Sequence, residues 1–148
     1  MKKTRLILTI AFLTIITHFG FSKDCDKCDT DKLIELSENL DNLNYETVKN
    51  FICTFDLTCK NNIEFSEWSN ELLFKLIEHD AYLLNRALNE LGFEYVKLIG
   101  QELETPVIEF DLKKIYVLIQ NSKGPKSIIE EEKKAIRKAA KKEGIKLE

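Results

Sequence analysis

Four cysteines, Cys25-x2-Cys28 and Cys53-x5-Cys59, constrain this 148-residue chain more than any other feature. An even set of cysteines reads as a disulfide frame when the chain is exported. The N-terminus has the layout of an export signal. Lys2, Lys3 and Arg5 precede an apolar run from Leu6 to Ile16, interrupted only by Thr9 and Thr14. Gly20 and Ser22 then occupy the −3 and −1 positions of a cut before Lys23. The run is shorter than the ~20 residues a bilayer-spanning helix needs, so a cleaved leader is favoured over an anchor. Residues 1–22 are therefore expected to be a signal peptide. Residues 23–148 are expected to form a single domain, periplasmic or secreted, large enough to bury its own core.

Three pairings of the four cysteines exist. The stretch between them reads as a helical hairpin turning near Asn42 to Asn44, which sets the start of one helix beside the end of the next. That geometry predicts the nested bridges Cys25–Cys59 and Cys28–Cys53, with local pairing (Cys25–Cys28, Cys53–Cys59) as the runner-up. Other uses of the thiols fit less well. A redox CxxC needs a stabilised thiolate, but Asp24, Asp26, Asp29 and Asp31 crowd Cys25 and Cys28. The x5 spacing lies outside the usual zinc range, and Asp29 stands where haem attachment requires His. No cofactor and no metal is expected.

Only five Gly and two Pro interrupt the whole chain, which suits helices on short connections. A first helix is predicted over about 32–40 with Asp31 as cap and Leu33, Ile34, Leu36 and Leu40 as its stripe. A second starts after Asn44, with Leu43 and Val48 spaced as a hydrophobic staple. The third, about 65–78, carries Phe65, Trp68, Leu72 and Leu76 at three- and four-residue steps. Asp80 caps a fourth that stops at Gly92. Tyr95, Val96, Ile99 and Leu103 support a fifth, despite Gly100. Residues 112–119 fit a helix capped by Asp111, with a strand pairing to Val107–Phe110 as the alternative. Ser127-x-x-Glu130 is a capping box for a last helix ending at Gly144. The expected fold is all-α: an irregular bundle or short stack of helical hairpins, six or seven helices, with a disulfide-stapled N-terminal hairpin.

Residues 23–148 hold 19 basic and 25 acidic residues, a net charge of −6. Nucleic acid is a poor partner for such a body, because phosphates must be neutralised by Lys and Arg. The C-terminal segment 126–148 departs from this at +3, and it is expected to dock electrostatically on the acidic remainder. A free arm for a partner or a membrane surface is the alternative.

Signals for chemistry are sparse. His79, flanked by Glu78 and Asp80, has the composition of a general base with its carboxylate, but it falls at a helix joint, where a cation simply favours the dipole. Glu64, Glu67 and Glu71 align on one helical face, as an acid/base or cation-binding set would, and as a solvated face would equally. No HExxH, phosphate-cradling glycine loop, EF-hand or GxSxG elbow occurs. The combination of export, small size, helices and disulfides is similar in type to periplasmic immunity and inhibitor proteins. A non-catalytic module binding a basic protein partner is thus the expectation. A small envelope hydrolase using His79 or an acidic pair, and a structural envelope component, are the alternatives.

Overall fold

A computed structural model describes residues 25–147; the signal-peptide assignment lies outside the described residues. These residues are all-helical: α1 (Thr30–Glu38), α2 (Tyr45–Cys53), α3 (Ile63–Leu91), α4 (Phe93–Leu103), α5 (Leu112–Asn121) and α6 (Lys126–Lys142). Two 3-10 turns, Leu40–Asn42 and Leu57–Asn61, precede α2 and α3.

The long α3 is the axis. Helices α1 and α2 pack on each other and on α3, while α5 and α6 pack on each other and, with α4, cover the rest of it. One continuous core results, holding Phe51, Phe65, Phe74, Leu76, Ile99 and Ile136 among others. No described helix is long and apolar enough to cross a membrane.

The apolar stripes become the buried faces, with one exception: Ile34 is exposed and α1 buries only Leu33 and Leu36. Trp68 packs half-buried against the core. Residues 112–119 are helical, and residues 107–110 form a loop, so the strand alternative falls. Leu112, Ile115, Tyr116 and Ile119 recur at helical spacing and bury one face of α5.

Helix ends depart from expectation at two places. Asp29, not Asp31, caps α1, accepting from the Asp31 amide at 2.9 Å. Asp80, by contrast, caps the helix after His79 as expected. Its backbone is non-helical (φ −158°, ψ 85°), so α3 is two helical segments joined there, and its Oδ1 accepts from the Tyr82 and Leu83 amides. The capping box of α6 does not form. The amides of Ile128 and Ile129 already reach the carbonyl of Pro125 at 3.0 and 3.2 Å, so the helix begins before Ser127 can cap it. Gly144 does stop α6 (φ 71°). Ile145 N–H reaches the Ala140 carbonyl at 2.8 Å and Gly144 N–H that of Lys141 at 3.3 Å, the paired bonds of a Schellman end.

Helix α6 is docked on the body, and the contact is mainly apolar. Ile128, Ala135, Ile136, Ala139 and Ala140 are buried against its neighbours. Among the described residues, ionic contact to the body is confined to Glu104, whose carboxylate meets Lys138 at 2.6 Å and whose carbonyl meets Lys142 at 2.9 Å.

Candidate functional site

The bridges are crossed, Cys25–Cys53 and Cys28–Cys59, each with Cα atoms 5.4 Å apart. Neither the nested nor the local pairing forms. Nesting requires residues 25–28 to extend the line of α1. Instead Cys28 takes φ 55° and donates its N–H to the Thr54 carbonyl at 2.9 Å, which swings the segment across the end of α2. Cys25 then meets Cys53 on the last turn of α2, and the 3-10 turn brings Cys59 round to Cys28.

Helix α4 is tied to this knot. Lys27 Nζ donates to the Cys53 carbonyl at 3.0 Å and to the Tyr95 hydroxyl, and the Tyr95 hydroxyl donates to the same carbonyl at 3.3 Å. Asp56 caps the 3-10 turn, accepting from the Thr58 amide and hydroxyl; these two bonds hold its carboxyl below the usual range, with Lys27 a smaller cause. The three most exposed large apolar side chains among the described residues stand on these tied segments. Leu57 (60%) and Ile63 (69%) flank Cys59, and Phe93 (60%) lies two residues before Tyr95.

His79 lies elsewhere. The kink of α3 and the end of α5 enclose an open groove of about 520 Å³, lined in part by His79, Asp80, Tyr82, Ser122 and Lys123. His79 is exposed there. Its sequence neighbours are committed: Glu78 pairs with Lys114 at 2.9 Å, and Asp80 Oδ1 accepts from the Tyr82 and Leu83 amides at 3.0 and 3.1 Å, restarting the helix. The groove hydroxyl of Ser122 is likewise held, accepting from Asn85 Nδ2 and donating to the Ile119 carbonyl, both at 2.7 Å.

Glu64 and Glu67 are exposed on the first turns of α3, and Glu71 is half-buried beside Lys75, its i+4 neighbour. The structure does not bring this trio together with His79 or with the cysteines. Among the described residues, no group of three or more His, Cys, Asp or Glu side chains could hold a metal ion.

Two features escaped the sequence reading. Tyr45 and Lys49 both bond the Glu90 carboxylate, and the Arg86 guanidinium lies 3.8 Å from the Tyr45 ring centroid. Burial, then Glu90, pushes the Tyr45 hydroxyl up to about 12. Glu132 is 2% exposed, and neither carboxylate oxygen has a hydrogen-bond partner. Its position four residues from both Ile128 and Ile136 was the available signal, since that spacing places all three on one helical face.

Compared with known proteins, the chain matches no family model, and no curated protein and no solved structure is significantly similar to it.

Proposed function

We propose that this chain is an exported, non-catalytic module that binds another protein through its disulfide-knotted corner, in the manner of an inhibitor or immunity protein. The observation that carries the reading is the exposure of Leu57, Ile63 and Phe93 on segments the two bridges and Lys27 hold in place. Exposed apolar side chains on a rigid frame supply contact area without the cost of ordering it on binding. Asp26, Asp29, Asp56 and Glu64 belong to the same segments, so the partner expected is an apolar pocket with a basic rim, drawn in by complementary charge. Two disulfides suit an oxidising compartment. A hydrolase built on His79 has less support, because Glu78 and Asp80 are engaged elsewhere.

The test uses the oxidised protein as bait in its native envelope or culture fluid, beside Leu57→Asp/Phe93→Asp and Ile108→Asp. The wild type and Ile108→Asp, altered in the distant 104–111 loop, should retain one stoichiometric partner that the double variant loses. No partner for the wild type, or equal retention by the double variant, overturns the proposal.

A further inference from the structure

Charge on this molecule is divided by element. Residues 25–111, through α4 and the loop after it, hold seven basic and nineteen acidic residues; residues 112–147, the α5–α6 hairpin, hold eleven basic and four acidic. Helices α1 to α4 each carry an acidic residue in the first turn, namely Asp31, Glu46, Glu64 and Glu94, where it favours the helix dipole. Helices α5 and α6 have none there and carry Lys113, Lys114 and Lys126 instead. Asp111 caps α5 from outside its first turn, accepting from the Lys114 amide at 3.0 Å. The lysines themselves oppose the dipole, so helix stability does not account for their placement.

We propose that the α5–α6 hairpin is a cationic face that seats the protein peripherally on an anionic lipid surface. Ten of its eleven cations are lysines. Lys114, Lys133, Lys134 and Lys138 pair with carboxylates, and Lys142 with the Glu104 carbonyl. That leaves Lys113, Lys123, Lys126, Lys141 and Lys146 as exposed point charges for diffuse attraction. The one arginine, Arg137, is engaged with the Tyr116 hydroxyl at 2.7 Å, and Lys133 lies 5.7 Å from the same ring, so cations line the seam between the two helices. Lys113 stands one turn before Tyr116, and Lys113, Lys123 and Lys126 are exposed. Val117 is the only large apolar residue of α5 or α6 exposed on the hairpin (52%); one small side chain supports contact with headgroups but not insertion. The acidic remainder does not forbid this docking, because charges more than about 8 Å from the surface are screened at physiological salt. This inference does not depend on the protein-binding reading; it leaves the disulfide corner to a partner.

The test is flotation of the oxidised protein with phosphatidylcholine vesicles, with and without phosphatidylglycerol, at low and physiological salt. Binding should require phosphatidylglycerol and weaken with salt. Lys113→Glu/Lys126→Glu should lower the partition coefficient at least roughly thirtyfold, the loss from removing two lysines alone, while Lys60→Glu/Lys97→Glu, an equal charge change on the acidic body, should leave it within about twofold. Both substitutions in the first pair favour the helix dipole, so loss of fold is not the expected cause, and helical circular dichroism checks it. Equal binding to neutral vesicles, no binding at low salt, or equal loss in both pairs overturns the proposal. So does salt-sensitive self-association abolished by Lys113→Glu/Lys126→Glu without vesicle binding, which would assign the face to a second copy of the chain.

Discussion

Glu132 lies in the seam that α6 makes with the body, among Ile128, Ala135 and Ile136, with no cation or donor at its carboxylate. Burial pushes its pKa up to about 8, against an ordinary value of 4.5. Between those values the folded chain keeps a proton that the unfolded chain releases, so stability falls as pH rises through this window and levels off above it. Urea unfolding of the wild type and Glu132→Gln at pH 5 and pH 8.5 isolates the effect, since all other groups cancel in the comparison. The two should be similar at pH 5, and the wild type should lose a few kcal/mol relative to the variant by pH 8.5. Parallel pH dependence of the two proteins would show that the carboxyl is not neutral in the fold. In the sequence, only the spacing from Ile128 and Ile136 marks Glu132 as a residue of the buried face. What it lacked was whether a lysine snorkels to meet the carboxylate, and that depends on packing between helices distant in the chain.

Helices were legible as elements wherever a stripe was continuous, because burial of that stripe is what stabilises them. Their ends were less so. Asp29 and Asp31 are chemically equivalent caps, and only the turn at Cys28 selects the first. Ser127-x-x-Glu130 has the pattern of a capping box, yet entry at Pro125 makes Ser127 a first-turn residue. Asn70 was invisible as a cap because it acts across the fold. Its Nδ2 donates to the Glu102 carbonyl at 2.9 Å and its Oδ1 accepts from the Val107 amide at 3.1 Å, tying the end of α4 and the following loop to α3. Asn70→Ala should cost about 2–3 kcal/mol, because two part-buried backbone groups lose the buried side chain that ties them to α3. Gly144→Ala should cost about 1–2 kcal/mol from the left-handed backbone alone, since nothing lies within 4 Å of the added methyl. Thermal unfolding ranks the two; a larger loss at Gly144 would contradict the strap.

At the scale of the molecule, the all-helical fold followed from scarce breakers and repeated stripes, whereas the covalent frame did not follow from spacing. Pairing among Cys25, Cys28, Cys53 and Cys59 is decided by the path of two short non-helical segments, which no periodicity records. The crossed bridges span 28 and 31 residues of sequence. A loop of that length restricts the unfolded chain by about 3–4 kcal/mol in the chain-entropy model, a large share of the ~5–15 kcal/mol typical of a domain. Cys28→Ala/Cys59→Ala should therefore lower the urea-derived stability by that amount. It should also loosen the corner that presents Leu57 and Ile63, detectable as faster amide exchange over 54–63 than over α6. Peptide mapping tests the pairing directly. Cleavage after Lys27 separates Cys25 from Cys28, and cleavage after Phe55 separates Cys53 from Cys59. Unreduced protein should then yield Cys25 joined to the Cys53 peptide and Cys28 joined to the Cys59 peptide. Recovery of Cys25 with Cys59 would restore the nested order and, with it, an α1–α2 hairpin extended in line through residues 25–28, which would displace Lys27 from Cys53 and release α4 from the knot.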